Sequence, residues 1–291
     1  MLESPAAVDF RAEVAEYEGL AEVGRWAGPR HRLTYRVLGA GAPLVLLPGL
    51  ASTYRSYGPT LNRLARRFRT VVIDYPGENP DDGAELGAIT HDHLVDDLFG
   101  LLDHLGLVRV HLFGLSFGST LGLRALGRDP GRFGRSALQG GFARRRLRPA
   151  ERLALAVGRR FRGETAQLPF HARGLGRRNR STFPADAAGL WAYYVEQNGR
   201  TSIAGLTHRL DLLDRLDLRP ILAGVRREIL LVHGSDDRIV PLARFRELAE
   251  NLPAVRPVLM PGVGHQPHFT HPEELADLVG DFLAGDAEDG A

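Results

Sequence analysis

The chain has 291 residues, of which 44% are hydrophobic, and a formal net charge of +2 at pH 7. This length is enough for one large core with an insertion or for two small domains, and the composition is that of an ordinary globular protein. The absence of cysteine excludes a disulfide framework and a thiolate nucleophile, and because all 37 basic residues are arginine, Schiff-base chemistry on lysine is excluded too.

Eight short apolar runs predict β-strands, and helical patterns separate most of them. The second run is expected to form an antiparallel edge strand, and the alternation in the rest predicts a parallel sheet covered by helices on both faces. The predicted strands cover residues 20–26, 31–38, 43–47, 70–73, 108–113, 136–139, 228–233 and 257–260.

Two helices carry clear boundary signals. Apolar residues spaced three or four apart over residues 94–105 predict a helix, with Thr90 as its N-cap and Gly106 as its end. Residues 270–273 have the capping-box pattern, which predicts that the last helix begins there.

The pentapeptide Gly-Leu-Ser-Phe-Gly at residues 114–118 is the most informative motif in the chain. It follows the fifth predicted strand and precedes a helical run that ends at Gly127. A G-x-S-x-G motif in this setting predicts a nucleophile elbow, because the glycines leave room for a tight turn that holds the Ser116 hydroxyl above the sheet in a strained conformation. The N–H of Phe117 is then expected to point at an oxyanion formed on a substrate carbonyl.

An acid and a histidine follow the serine in the chain order expected of a catalytic triad. Asp236 and Asp237 lie on the loop after the seventh predicted strand, and His265 lies on the loop after the eighth. Because the carboxyl ends of parallel strands meet at one edge of the sheet, these side chains are expected to meet Ser116 there.

From about residue 30 to about residue 285 the chain resembles the α/β-hydrolase family. The resemblance rests on the motifs G-L-S-F-G, H-G-S-D-D-R-I-V-P, and G-V-G-H followed by H-P-E-E-L. It implies a mostly parallel eight-stranded sheet with helices on both faces and a helical lid insertion. The family pattern favours Asp237 over Asp236 as the acid. It also favours His265, at the Gly-x-Gly-His position, over His268 and His271 as the base.

The resemblance also implies an oxyanion hole. Its donors would be the backbone N–H groups of Leu50 and Phe117. The chain has Pro48 where the family usually has a histidine. Because the donor that follows is a backbone group, this departure is compatible with an oxyanion hole.

The resemblance divides the chain into a core and a lid. Residues 1–141 and 221–291 are expected to form the α/β-hydrolase core, with 285–291 as a disordered tail, and residues 142–220 are expected to form the helical lid. Residues 142–180 carry twelve arginines and two glutamates. This charge would steer an anionic substrate, bind another polyanion or form a solvated helical surface.

Candidate substrate contacts are three lid aromatics and one histidine near the pocket: Phe142, Trp191, Tyr194 and His268. Lid aromatics either line an apolar pocket or form the core of the lid. No cofactor is expected. No metal is expected either, since His91 and His93 lie two residues apart and so face different sides of a helix.

The function favoured by these observations is a serine hydrolase that cleaves carboxylic esters of a small, aromatic or apolar substrate through an acyl-enzyme. The open alternatives are a carbon–carbon bond hydrolase of a vinylogous diketone, a haloperoxidase-like enzyme, an acyltransferase and a non-catalytic ligand-binding member of the fold. The expected partner is a small-molecule ester, and the sequence contains no nucleic-acid motif. No apolar run approaches the roughly 18 residues that span a bilayer. Met1 to Pro5 lack the blocks of a signal peptide, so we expect a cytoplasmic location.

Overall fold

A single eight-stranded sheet forms the centre of the molecule in the computed structural model, which describes residues 8–169 and 171–285. Its strands are β1 Glu22–Ala27, β2 Arg32–Leu38, β3 Ala42–Leu47, β4 Phe68–Ile73, β5 Val110–Leu115, β6 Phe133–Gln139, β7 Ile229–Gly234 and β8 Val255–Met260. Their order across the sheet is β1-β2-β4-β3-β5-β6-β7-β8. The first two pairings are antiparallel and the other five are parallel. The prediction of a mostly parallel eight-stranded sheet is confirmed.

The helices of the described residues connect the strands and cover the sheet. They are α1 Phe10–Leu20, α2 Gly58–Ala65, α3 His91–His104, α4 Phe117–Arg128, α5 Pro149–Gly158, α6 His171–Asn179, α7 Ala188–Gly199, α8 Ile203–Arg215, α9 Leu242–Asn251, α10 Pro267–Thr270 and α11 Pro272–Ala284. Four of them, α5 to α8, lie in sequence between β6 and β7. None of the helices in this described part of the chain has the length and apolar character needed to cross a membrane.

Side chains of β3 alternate between the two faces of the sheet. Val45 and Leu47 belong to a core shared with α3, α4 and α9, whereas Leu44 and Leu46 belong to a second core shared with α2 and α11. Because both faces are covered by helices, the central strands are continuous apolar runs rather than alternating ones.

The N-terminal region differs from the prediction in two respects. Residues 10–20, for most of which the sequence analysis predicts no helix or strand, form α1, whose N-cap Asp9 accepts hydrogen bonds from the N–H groups of Arg11 and Ala12 at 3.0 and 3.2 Å. The helix is stable in this context because it buries Val14 and Tyr17. In addition, β2 is not the edge strand, since it pairs with β1 on one side and with β4 on the other.

The start of α3 is as predicted, and its N-cap is Thr90. The Thr90 hydroxyl accepts a hydrogen bond from the N–H of His93 at 3.1 Å, and the Thr90 N–H donates to the His93 ring at 3.3 Å. The helix is followed by Gly106, which has a φ of +66°. Such a left-handed residue ends a helix at little cost when it is glycine.

The predicted capping box at residues 270–273 is wrong. The last helix, α11, begins at Pro272 after His271, and no side chain caps it. The N-cap position falls on His271 rather than on Thr270, whose hydroxyl lies within the preceding short helix, donates to the carbonyl of Gln266 at 3.3 Å and lies 2.8 Å from His271 Nδ1. The expected disordered tail lies outside the described residues, apart from Gly285.

Replacing Thr90 by alanine should lower the free energy of unfolding by about 1 kcal/mol, because the N–H of His93 loses its acceptor at the start of α3. Thr90 is exposed, so the substitution leaves no cavity in the core. Urea unfolding followed by circular dichroism measures the change. The matched control is Thr90→Ser, which keeps the hydroxyl and should lose much less; equal losses in the two variants would contradict the capping role.

Candidate active site

Ser116 lies at the turn between β5 and α4 in a strained backbone conformation. Its φ of 49° makes it the one non-glycine residue with positive φ in the described part of the chain. Such a conformation costs on the order of 1–3 kcal/mol and persists only where the surroundings hold it. The structure therefore contains the sharp turn that the G-x-S-x-G motif predicts.

Two glycines allow the backbone to approach closely at this turn. A Cβ atom on Gly118 would lie 2.0 Å from the carbonyl oxygen of Leu47, and one on Gly114 would lie 2.8 Å from that of Gly118. Contacts below about 3.0 Å to backbone atoms cannot be relieved by moving a side chain. Any larger residue at either position would push α4 away from β3 and β5.

Ser116, His265 and Asp237 form a continuous hydrogen-bonded chain at the carboxyl edge of the sheet. The Ser116 hydroxyl lies 3.0 Å from His265 Nε2, and His265 Nδ1 lies 2.6 Å from Asp237 Oδ2. Because a carboxylate only accepts, Nδ1 carries the proton and Nε2 faces the serine as an acceptor. The three residues that the sequence pattern singled out are thus together in space.

The Asp237 carboxylate is buried and held by the backbone as well as by His265. Its second oxygen accepts hydrogen bonds from the N–H groups of Ile239 and Val240, both at 2.8 Å. Burial by itself would raise the pKa of Asp237, but its interactions with His265 and with the N–H of Val240 hold the pKa below its ordinary value. The group is therefore ionised at neutral pH and able to stabilise a positive imidazole.

The alternative acid, Asp236, and the alternative bases, His268 and His271, are not part of the hydrogen-bonded chain. Asp236 is exposed and accepts a hydrogen bond from the Ser235 hydroxyl at 2.9 Å. His271 precedes α11 and does not belong to the cavity lining. His268 does line the cavity, with its ring centroid 4.6 Å from that of Tyr57. Burial lowers the pKa of His268 to about 3, so its ring is neutral at physiological pH.

The loop that carries Leu50 is fixed through its peptide groups. The carbonyl of Pro48 accepts from the Tyr75 hydroxyl at 2.9 Å, and the N–H of Gly49 donates to the Tyr57 hydroxyl at 2.8 Å. The carbonyl of Leu50 accepts from Arg209 Nε at 2.8 Å. Three consecutive residues after β3 are therefore each held by a buried side chain.

The N–H groups of Leu50 and Phe117 have no hydrogen-bond acceptor among the described residues. Leu50 and Ser116 both line the same cavity. Phe117 directly follows Ser116 and begins α4, so its N–H is one of the unpaired donors at the start of a helix. These two donors are free to bind a negatively charged oxygen beside the serine.

Sequence reasoning did not identify the buried ion pair that supports this loop. Arg209 of α8 contacts Glu78, in the turn after β4, and both side chains are almost completely buried. The Arg209 guanidinium also lies 5.5 Å from the ring centroid of Tyr75. No local motif marks either residue, since they are 131 positions apart in the chain.

Gly140 was also missed by sequence reasoning. It has a φ of +58°, and a Cβ there would lie 2.9 Å from His265 Cε1. The glycine therefore allows the imidazole to pack directly against the backbone after β6. The Gly-Gly pair that follows the sixth predicted strand is the signal that would have found it.

A cavity of about 370 Å³ opens beside Ser116 and His265. Most of its lining is apolar, and the helices between β6 and β7 supply much of it, including Leu155, Leu206 and Leu210. Arg145 is the one arginine in the described lining, and its guanidinium is paired with Glu151 at 3.0 Å. The site therefore suits an uncharged, apolar group next to the serine.

Three of the four candidate substrate contacts line this cavity: Phe142, Tyr194 and His268. Trp191 does not belong to the described lining. Its ring packs instead against Phe183 and Tyr194, with ring centroids 5.2 and 5.3 Å apart. Trp191 and Tyr194 lie three positions apart in α7, but only Tyr194 belongs to the described cavity lining.

Comparison with known proteins agrees with this architecture. A model of the alpha/beta hydrolase fold family matches residues 42–272. The chain is 29% identical, over 252 residues, to a Caulobacter sp. (strain K31) protein named as a carbamate hydrolase, RutD; the match covers 84% of this chain and 91% of that protein. It is 28% identical, over 274 residues, to 2-hydroxy-6-oxononadienedioate/2-hydroxy-6-oxononatrienedioate hydrolase 2 of Pseudomonas putida, covering 87% and 91%. The crystal structure of the enol-lactonase from Burkholderia xenovorans LB400 is similar with a TM-score of 0.77 at 25% identity, covering 90% of this chain and 100% of that one.

Replacing Arg209 by methionine should lower the free energy of unfolding by about 3–5 kcal/mol, because Glu78 is left buried without its counter-charge. Urea unfolding measures the loss. The matched control is Arg215→Met on the same helix, where an exposed pair with Asp211 is broken and the expected loss is below about 1 kcal/mol. Adding Glu78→Gln to the Arg209 variant should restore part of the stability. Similar losses at Arg209 and Arg215 would rule out the buried pair as a strong constraint.

Proposed function

Because the chain belongs to the α/β hydrolase fold family and is a hydrolase, we propose that it hydrolyses carboxylic esters with Ser116 as the nucleophile. The observation that carries the proposal is the hydrogen-bonded chain from Ser116 through His265 to Asp237. A serine hydroxyl is a weak nucleophile unless a base takes its proton, and Nε2 of His265, 3.0 Å from the Ser116 hydroxyl, is in place to do so.

The first half of the reaction acylates the enzyme. Ser116 Oγ attacks the ester carbonyl carbon while His265 Nε2 takes the hydroxyl proton. The buried, ionised Asp237 stabilises the imidazolium that forms. The carbonyl oxygen becomes an oxyanion, which accepts hydrogen bonds from the N–H groups of Leu50 and Phe117. His265 then returns the proton to the alkoxide of the leaving alcohol, and the acyl group remains on Ser116.

The second half of the reaction releases the acid. A water molecule takes the position that the alcohol has left, and His265 Nε2 removes a proton as the water oxygen attacks the acyl carbon. The same two N–H groups stabilise the second oxyanion. Collapse of this intermediate expels Ser116, which regains its proton from His265. The base is thereby restored for another cycle.

The substrate class follows from the lining of the cavity. A cavity of about 370 Å³ with mostly apolar walls favours a small, aromatic or aliphatic acyl or alkoxy group. The enol-lactonase similarity is consistent with this choice, since a lactone is an internal ester. The Pseudomonas putida relative is named for substrates with two carboxylates. Arg145, paired with Glu151, is the one arginine in the described lining of this cavity, so the negative charges of a dianion held inside it would be only weakly neutralised. Carbon–carbon bond hydrolysis of such a substrate is therefore the second candidate.

In this proposal residues 142–220 act as a lid on a core formed by residues 1–141 and 221–291. The helices α5, α7 and α8 all supply residues to the cavity that contains Ser116. Closing the site in this way excludes bulk water from the acylation step and strengthens the electrostatic stabilisation of the oxyanion.

Ser116→Ala should abolish ester turnover, and a fluorophosphonate probe should add once to the wild-type protein and not to this variant. Intact-mass spectrometry detects the adduct, and the rate of p-nitrophenyl ester hydrolysis measures the turnover. An adduct of equal yield on the Ser116→Ala variant would show that another residue is the nucleophile.

Asp237→Asn should lower kcat by about 10⁴-fold, because the neutral amide favours the wrong imidazole tautomer and leaves the imidazolium without a counter-charge. Asp236→Asn is the matched control, since the neighbouring carboxylate is exposed and hydrogen-bonded to Ser235. Its kcat should stay close to the wild-type value. The reverse ranking of the two variants would overturn the choice of acid.

Leu50→Pro should lower kcat by about 10²–10³-fold, because it removes the backbone N–H that stabilises the oxyanion. Leu50→Ala keeps that N–H and is the control for the lost side chain, so it should alter KM more than kcat. Near-ultraviolet circular dichroism checks that both variants fold. If the two variants lose kcat equally, the N–H of Leu50 is not an oxyanion donor.

A further inference from the structure

A second cavity, of about 210 Å³, lies beside the active-site cavity and is strongly basic. It is formed by residues 142–151, which follow β6, and by residues 238–244, which follow the Asp237 loop. We call it the arginine cleft. The arginines that line it are Arg144, Arg145, Arg146, Arg148, Arg238 and Arg244. Glu151 is the one acidic residue in its described lining.

The positive charge of the arginine cleft is only partly neutralised. Three of its arginines have carboxylate partners, with Arg144 at 3.7 Å from Asp217, Arg145 at 3.0 Å from Glu151 and Arg244 at 3.0 Å from Glu247. The other cations include Arg148 and Arg238, which form no ion pair within residues 8–169 and 171–285. Several guanidinium groups thus surround a small space with fewer carboxylates than cations.

A helix end adds to this positive potential. The ten-residue helix α9 begins at Leu242, directly after Pro241, which lines the arginine cleft. No side chain caps the helix, and among the described residues the N–H groups of Leu242 and Ala243 have no acceptor, whereas the N–H of Arg244 donates to the carbonyl of Pro241 at 2.8 Å. Unpaired N–H groups and the helix dipole both favour an anion at such an end.

The arginine cleft and the active-site cavity share a wall. Phe142, Ile239 and Val240 line both spaces, and so does the Arg145–Glu151 pair. Val240 also donates its N–H to Asp237, so the shared wall includes the backbone that fixes the proposed triad acid. An anion in the cleft therefore lies next to a substrate bound at Ser116.

We propose that the arginine cleft binds a phosphate monoester group carried by the substrate, while the apolar part of that substrate lies in the active-site cavity. The inference rests on the proposed ester hydrolysis and specifies its substrate further. A phosphate monoester is close to dianionic at pH 7 and has three terminal oxygens. It can therefore accept from several guanidinium forks and from the helix end at once, which a single carboxylate does less well.

Isothermal titration calorimetry on the Ser116→Ala protein tests this binding in a variant that lacks the proposed nucleophile. The probes are inorganic phosphate, n-hexyl phosphate and 1-hexanol, all at one ionic strength set with NaCl. Hexyl phosphate should bind at least about tenfold more tightly than either of the others, because charge-assisted hydrogen bonds add to burial of the alkyl chain. Equal affinity for hexyl phosphate and hexanol would overturn the phosphate site. Equal affinity for hexyl phosphate and inorganic phosphate would overturn its connection to the cavity.

Matched variants distinguish binding in the arginine cleft from a general effect of the protein's net charge. Arg148→Gln with Arg238→Gln should weaken hexyl phosphate binding by about tenfold or more and leave the hexanol affinity unchanged. Arg66→Gln removes an exposed arginine directly after the last residue of α2, and it should change neither the hexyl phosphate affinity nor the hexanol affinity. If the Arg66 variant weakens hexyl phosphate binding as much as the double variant does, the effect is one of net charge and not of the cleft. If the double variant binds hexyl phosphate as tightly as the parent protein does, the proposed site is refuted.

The ester hydrolysis and the phosphate site can each be contradicted without contradicting the other. The titrations use an inert serine variant, so a negative result leaves fluorophosphonate labelling and ester turnover of the wild-type protein unaffected. If hexyl phosphate binds as expected while the wild-type protein neither labels nor turns over esters, the cleft is an anion site in a protein that is not a serine hydrolase.

Discussion

The close packing of Gly118 against the carbonyls of Leu47 and Pro48 is the constraint on which the site depends. A Cβ at Gly118 would lie 2.0 and 2.7 Å from those two oxygens, so α4 can approach β3 this closely only with glycine at that position. The contact lies two residues after Ser116, in the first turn of α4, and so directly follows the strained turn at Ser116. One backbone contact thus bears on both the proposed nucleophile and the N–H of Phe117, whereas the loop that carries Leu50 is held by Tyr57, Tyr75 and Arg209.

The parallel arrangement of β3 and β5 to β8 gathers the remaining groups. The loops after β3, β5, β7 and β8 leave the sheet at the same edge, and they carry Leu50, Ser116, Asp237 and His265 respectively. Residues separated by up to 149 positions in the chain are consequently within hydrogen-bond distance. Long side chains are unnecessary because the strand ends already converge.

The helices between β6 and β7 are tied to this framework by a buried charge pair. Arg209 joins α8 to Glu78 and to the carbonyl of Leu50, so the loop after β3 and the cavity wall share a support. In the chain's sequence Pro48 replaces the histidine common in the family, and the peptide groups of residues 48–50 are held instead by Tyr75, Tyr57 and Arg209. A buried pair of this kind stabilises little by itself, because desolvation offsets attraction, but it fixes one geometry of the loop.

The sequence by itself determined the parts of this protein that depend on local pattern. Short apolar runs predicted the strands, Thr90 predicted a helix start, and the order and spacing of Ser116, Asp237 and His265 indicated residues that the fold places together. The tertiary structure alone decided what depends on distant packing. It made a helix of residues 10–20 by burying Val14 and Tyr17, and it placed β1 rather than β2 at the sheet edge. It also turned Trp191 away from the cavity and paired Arg209 with Glu78. Those outcomes follow from which surfaces meet in three dimensions, and no short stretch of sequence contains that information.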